Sequence, residues 1–356
     1  MIRQFIPAAV LTVVALVVAL IFGGPQDLVI VAILGVLEIS LSFDNAVVNA
    51  KVLTRMHPVW QQLFLTVGIL IAVFGMRLVL PVLIVALTAH LSVPDVINLA
   101  LNKPAKYGTE LAQAKEAIYA FGGTFLLMIF LDFVFDVDRD LHWLKPIERA
   151  LARVGKLDQL SVVIALGGIF FMSGIADANK SKTVLIAGLI GLGAYLVVNA
   201  LDNLFEAGIE DESSTSTEGM TGAIFKAGVF TFLYLEVLDA SFSFDGVIGA
   251  FAISDKVLVI ALGLGVGAFW IRSLTLQLVR RGTLAEYIYL EHGAHWAIGC
   301  LAVIMIFQVQ YKVPEVVTGL IGVGFIGLAL ISSIIERNKA GDQPEDLEEQ
   351  VPASAG

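Results

Sequence analysis

The stretch Glu38-Ile39-Ser40-Leu41-Ser42-Phe43-Asp44-Asn45 lies inside an apolar run and returns far downstream as Asp239-Ala240-Ser241-Phe242-Ser243-Phe244-Asp245-Gly246. Both copies read acid-x-Ser-x-Ser-Phe-Asp followed by a small or amide residue. Both sit in sequence hydrophobic enough to cross a membrane. A carboxylate in hydrocarbon costs roughly 2.5 kcal/mol or more on insertion scales, so an intramembrane acid marks a functional site by default. A chain that carries this cost twice, in one pattern, is organised around it.

Of the 356 residues, 58% are hydrophobic and 15% charged, which excludes an ordinary soluble domain and makes the bilayer the first partner. Apolar stretches near twenty residues long recur, so the fold class is all-α: a polytopic membrane protein with about ten transmembrane helices. Residues 1–24 hold an extra N-terminal helix. It is read as retained, because the only basic residue before it is Arg3 and Phe22-Gly23-Gly24-Pro25 is no cleavage site. A first repeat covers 25–138, and an amphipathic segment with an added helix pair covers 139–205. An acidic linker spans 206–219, a second repeat 220–310, a last helix 311–335 and a disordered acidic tail 336–356. Within these, 88–115 is a polar connection with a short surface helix. Residues 141–156 interleave Trp143, Ile147, Leu151 and Val154 with basic residues, as an interfacial helix does. An N-in arrangement places Lys51, Arg55, the basic residues of 139–156 and Arg337 in the cytoplasm. It leaves Lys103, Lys180, Lys256 and Lys312 outside, with both termini cytoplasmic.

The repeat extends past the motif. Arg77 and then Glu116-Ala117-Ile118-Tyr119 follow the first copy; Arg272 and Glu286-Tyr287-Ile288-Tyr289 follow the second. The two motif helices are five spans apart and therefore inserted in opposite senses, the signature of an inverted repeat of three-helix units with its site at the repeat interface. On a helix, Glu38, Ser42, Asn45 and Asn49 form one stripe, and Ser40 and Asp44 a second about 120° away. The second copy puts Glu236, Asp239 and Ser243 on one side and Ser241 and Asp245 on the other. A helix polar on two faces belongs inside the bundle, or is broken near Ser-Phe-Asp so that backbone carbonyls become ligands. Carboxylate, amide and hydroxyl oxygens suit hard divalent cations. The acids exceed the charge of one such ion, so some are protonated or paired with Arg77 or Arg272. Ser42, Ser243, Glu236, Glu291, His292 and His295 are accessory candidates; the two histidines are either metal ligands or hydrogen-bonded members of a packed helix. The single cysteine, Cys300, excludes internal disulfides. No P-loop, nucleophile elbow or triad is present, and nothing points to nucleic acid.

Glu38-Ile-Ser-Leu-Ser-Phe-Asp44-Asn45-Ala-Val and Leu238-Asp239-Ala-Ser-Phe-Ser-Phe-Asp245-Gly-Val-Ile resemble the two motifs of TerC-family membrane proteins, and Tyr289-Leu-Glu-His-Gly-Ala-His295 is similar to a glutamate–histidine segment of some members. The resemblance covers most of 27–335. It implies an inner-membrane protein related to the lysine-exporter superfamily, linked to manganese export, metal homeostasis and tellurium resistance. By match to the motifs, Glu38, Asp44, Asn45, Asp239 and Asp245 carry over as the metal site. The chain departs in its first helix, its added helix pair and Gly246, as a divergent branch would. The expected function is a transporter, not an enzyme, with a divalent cation, Mn²⁺ first, as substrate and no resident cofactor. One rival is a non-transporting component of a metal or tellurite stress complex, docking its protein partners through the acidic loop and tail. Another is an intramembrane metal-dependent enzyme using His292 and His295.

Overall fold

A computed structural model describes residues 4–341 apart from 69, 72–74, 76, 77, 90, 138, 156, 158, 213–227, 240–242, 244, 245, 248, 249, 251, 252, 255 and 282–286. The side chains of Asp44, Arg55 and 201–212 are also outside the description. Arg77, Asp245, Ser241 and Glu286 therefore lie outside the described residues. The described residues form helices throughout: α1 (Ile6–Leu41), α2 (Phe43–Arg55), α3 (Pro58–Leu63), a π-helical turn (Phe64–Gly68), α4 (Leu80–Thr88), α5 (Val93–Asn102), α6 (Pro104–Gln113), α7 (Lys115–Phe135), α8 (Lys145–Val154), α9 (Leu160–Ile175), α10 (Ser181–Glu212), α11 (228–239), α12 (Val257–Arg281), α13 (Leu290–Gln308) and α14 (Glu315–Gly341). Six of these are long and apolar enough to cross a membrane.

As one rod, α1 would be about 54 Å long at 1.5 Å per residue, far more than a hydrocarbon core. Gly24 breaks it, with φ 79° and ψ −172°, a conformation that favours glycine, and Pro25 follows. Contacts with α12 show that the chain reverses there. Along α12, Lys256 meets Asp27, Gly263 meets Val31 and Leu34, and Gly267 meets Glu38. At nearly the level of Gly267, Trp270 donates to Thr12 Oγ1 at 3.0 Å and packs on Phe5. Residues 6–23 and 25–41 are thus two antiparallel limbs against one helix, each about 26 Å long.

The inner helices are α7, α13 and α12; α1, α10 and α14 turn apolar faces outward, with Phe22, Ile190, Leu320 and Leu328 exposed. Such surface on a chain of this composition faces lipid. The added pair, α9 and α10, packs on α7, where Asp132 accepts from Tyr195 Oη at 2.5 Å and Gly191 lets the helices close on Phe121. The 88–115 connection holds two helices rather than one surface helix. Both are part of the core: Val96, Ala100, Tyr107 and Leu111 pack with Leu34, Val247, Ile260 and Leu264. Two sequence boundaries move outward, since α10 runs on to Glu212 within the segment read as linker and α14 to Gly341 within the tail.

Ion pairs gather at two ends. One end holds Asp27–Lys256 at 2.9 Å and Glu116–Lys180 at 3.8 Å. The other holds Lys51–Glu291 and His292–Glu148 at 3.0 Å. Asp27 and Lys51 bracket the first motif in the chain, so the motif lies between the two ends.

Close approach of α1 to α12 depends on small residues, and this is testable. A Cβ at Gly263 would lie 2.5 Å from Leu34 Cβ and 3.2 Å from Val31 O, whereas one at Gly322 would meet nothing within 4 Å. Gly263→Ala should lower thermal stability in detergent by about 1–3 kcal/mol. Gly322→Ala should be neutral or slightly stabilising. Equal melting temperatures would show that the α1–α12 contact is looser than described.

Candidate functional site

The helical ladder weakens inside the first motif. α1 ends at Leu41, Ser42 adopts φ −100° and ψ 13°, and α2 starts at Phe43. Ser42 N–H still donates to Glu38 O at 2.9 Å, while the following Ala46 N–H to Ser42 O bond stretches to 3.3 Å. The break expected near Ser-Phe-Asp is thus a mild one at Ser42. Glu38, Ser42, Asn45 and Asn49 are all buried. The second polar stripe is covered as well, since Ser40 Oγ would lie 2.8 Å from a Cβ on Gly319 of α14. Both polar faces of the motif helix are therefore enclosed by protein.

The two motifs touch, and they do so reciprocally. Asn45 Nδ2 donates to Asp239 Oδ1 at 2.5 Å. Glu38 lies over Gly246, where a Cβ would come within 2.9 Å of Glu38 Oε2. Glu38 and Asp239 are the first residues of their motifs; Asn45 and Gly246 are the eighth. The first residue of each motif therefore meets the eighth of the other, and the segments run antiparallel. Side-chain size is matched across the crossing. The longer acid, Glu38, faces the residue with no side chain, and the shorter acid, Asp239, faces an amide long enough to reach it. Glu38 also accepts from Ser42 Oγ at 2.8 Å. This accounts physically for Gly246, the departure noted in the sequence.

Toward the Lys51 end the same register continues. It brings Asn49 level with residues 235–236 of α11, where Glu236 is buried. Neither Glu236 oxygen has a hydrogen-bond partner among the described residues, and the same holds for Asn49 Oδ1 and Ser243 Oγ. The π-helical turn covers Glu236 from the other side; a Cβ on Gly68 would lie 2.8 Å from Glu236 Oε1. Among the described residues no group of three or more His, Cys, Asp or Glu could hold a metal ion. Asp44 and Asp245, two of the five acids and amides carried over from the motifs, contribute no described side chain. Arg272 makes no ion pair with any described carboxylate.

Glu291, His292 and His295 build a separate cluster at the Lys51 end. Glu291 pairs with Lys51, and His292 Nδ1 sits 3.0 Å from Glu148 Oε2. The His295 ring stacks on Phe133 at 3.7 Å, and Arg139 lies over the Phe133 ring, 3.3 Å from its centroid. His295 Nδ1 faces Glu291 O at 2.9 Å. Glu148 has no signal in the sequence beyond its place in an amphipathic segment. It is nonetheless the buried residue of α8, while Ile147 and Val154 point outward. Trp296 Nε1 and the Trp143 amide donate to it, both at 2.9 Å. Burial opposes its ionisation, but the hydrogen bonds from His292 and Trp296 overcome this and hold the carboxyl at about 2.

A family model described as a protein of unknown function (DUF475) matches residues 43–340. The chain belongs to the DUF475 family. The match begins at Phe43, inside the first motif, so it takes in Asp44, Asn45 and the whole second motif but not Glu38. The chain is also 28% identical over 167 residues to the uncharacterized membrane protein YceF of Bacillus subtilis (strain 168), which covers 46% of this chain and 62% of that protein. It thus spans less than two thirds of the length of that relative. No solved structure matches. Together with six helices long and apolar enough to cross a membrane, these findings make it a multi-pass membrane protein of the DUF475 family.

Glu148 gives a stability prediction with a definite sign. Its folded pKa is depressed, so its contribution is fully present above the ordinary carboxylate range and is lost as pH falls through about 2. Glu148→Gln cannot satisfy three donors with a charged acceptor and should cost roughly 2–4 kcal/mol at neutral pH. The melting-temperature gap between wild type and variant should narrow as pH drops from 5 toward 2. A gap independent of pH would mean that the carboxylate charge is irrelevant to docking of α8.

Proposed function

We propose that this protein is an inner-membrane transporter that exports a divalent cation, with Mn²⁺ as the favoured substrate, through the crossing of its two motifs. The observation that carries this is the reciprocal contact of Glu38 with Gly246 and Asn45 with Asp239. It gathers carboxylate, amide and hydroxyl oxygens inside an apolar bundle, between two ends closed by ion pairs. Such oxygens match hard divalent cations. Buried polar groups that lack partners are retained where a substrate or ion supplies the missing interaction.

The same contact supports an inverted repeat. A pseudo-two-fold relation makes position one of each copy meet position eight of the other, as an isologous interface does. Asp44 and Asp245 follow the motif serines in each copy and complete the ligand set in this reading, as the resemblance to TerC-family proteins implies. The reversal at Gly24 supports the larger span number, about ten, because one helix by length becomes two crossings. Lys51, Arg139, Lys145, Arg149 and Arg153 gather at one end, which the positive-inside rule makes cytoplasmic, and Lys256 lies at the other. No nucleotide-binding motif accompanies the site, so protons or the membrane potential drive the flux.

Asp44→Asn and Asp245→Asn keep size and one acceptor while removing charge. Each should abolish Mn²⁺ flux in proteoliposomes and manganese tolerance in cells, with the protein still present in the membrane. Ser42→Ala and Ser243→Ala should be milder, since neutral oxygens contribute less to a hard cation. Normal abundance with undiminished Mn²⁺, Ca²⁺, Mg²⁺ and Zn²⁺ flux in the Asp44→Asn, Asp245→Asn double variant would remove the site.

A further inference from the structure

The motif crossing leaves one buried carboxylate unused. Glu236 lies outside the acid-x-Ser-x-Ser-Phe-Asp pattern, one turn before Asp239 on α11. It is 5% exposed, and neither oxygen has a hydrogen-bond partner among the described residues. Asn49, also 5% exposed, holds an Oδ1 in the same condition one turn beyond Asn45 on α2. Because the two segments run antiparallel, with Asn45 against Asp239, both residues fall at one level, on the Lys51 side of the crossing. A third element closes this level. The π-helical turn Phe64–Gly68 presents Gly68 to Glu236, and Phe64 and Trp60 pack on Phe232 one turn earlier on α11. Single π turns inside helices recur at functional sites, where the widened ladder re-aims backbone groups. Three independent features, namely a partnerless buried carboxylate, a partnerless buried amide oxygen and a π turn with a glycine facing them, therefore coincide.

A buried carboxylate without a partner is unfavourable unless a proton or a cation joins it. An acid needed only for packing would be placed at the surface or against a basic residue. We propose that Glu236 and Asn49 form a second cation station, one helical turn from the motif crossing toward the Lys51–Glu291 end, through which the substrate cation passes. This rests on the cation reading of the crossing. It adds a relay point that the repeated motif does not contain, and it assigns the cation's route to the seam between α2, α11 and the π turn. The crossing sets how tightly the cation is held; the station sets how fast it moves between the crossing and the Lys51 end.

The test separates holding from moving, using the full chain. Mn²⁺ binding to purified protein in detergent and Mn²⁺ flux in proteoliposomes are measured for wild type, Glu236→Gln, Glu236→Asp and Asn49→Ala. Glu236→Gln should leave the Mn²⁺ Kd within about twofold of wild type. Its flux should fall at least about tenfold, and Glu236→Asp should recover part of it. A merely structural glutamate would change neither quantity, or would lower both with the amount of folded protein. Flux in Glu236→Gln within about twofold of wild type overturns the station while leaving the crossing intact. Loss of Mn²⁺ binding in Glu236→Gln also overturns it, by placing Glu236 in the crossing site itself. Absence of both binding and flux in wild type overturns the cation reading and the station with it. If Glu236→Gln does not reach the membrane, Asn49→Ala decides: slowed flux at unchanged Kd supports the station, and unchanged flux overturns it.

Discussion

The fold turns on burying Glu38 and Asp239 where two antiparallel segments cross. Each acid must be met by something that neither repels it nor leaves a void. The chain solves this twice with opposite choices. Glu38 extends into the space left by Gly246, and Asp239 receives the amide of Asn45. Exchanging only one partner would break the fit: a side chain at position 246 would collide with Glu38, and a glycine at position 45 would take the donor from Asp239. The acids and their opposite residues therefore form one matched set, and the helices that hold them have little freedom to slide. Gly263 and Gly267 extend the same demand into α12, which presses against Leu34 and Glu38 along a glycine-lined face.

Much of this was legible because membrane insertion filters sequence severely. Apolar runs must match the bilayer, so α7, α9, α12 and α13 fall within a few residues of their expected places. The doubled motif was legible because intramembrane acids are rare enough to stand out. The turn at Gly24-Pro25 was visible as a junction, and the positive φ at Gly24 shows why glycine stands there. What escaped the sequence depends on distant partners. Nothing near Glu148 announces that His292 and Trp296, far along the chain, will bind it. The amphipathic pattern of α8 was read correctly, yet its orientation reverses the soluble rule. Its acid points into the protein, while Ile147 and Val154 point out, because at a bilayer boundary the outward medium is itself apolar. The π turn at Phe64–Gly68 has no compositional mark either; it follows from how α3 must pass Phe232 and Glu236.

The distribution of charge along the bundle completes the physical argument. The ion pairs that hold elements together lie at the two ends, where water lowers the desolvation cost of each partner. Asp27–Lys256 and Glu116–Lys180 tie one end; Lys51–Glu291 and Glu148–His292 tie the other. Each pair joins elements far apart in sequence, so each end is stitched by the fold rather than by local helix geometry. Between them the polar groups change character: amides, hydroxyls and carboxylates replace lysine and arginine, and among the described residues several of their oxygens are left without partners. A bundle built only for stability would invert this, pairing every interior acid and leaving surface charges to the solvent. The interior oxygens instead cost stability that the packing of α7, α13 and α12 must offset, and that cost is intelligible where something other than the protein completes their coordination.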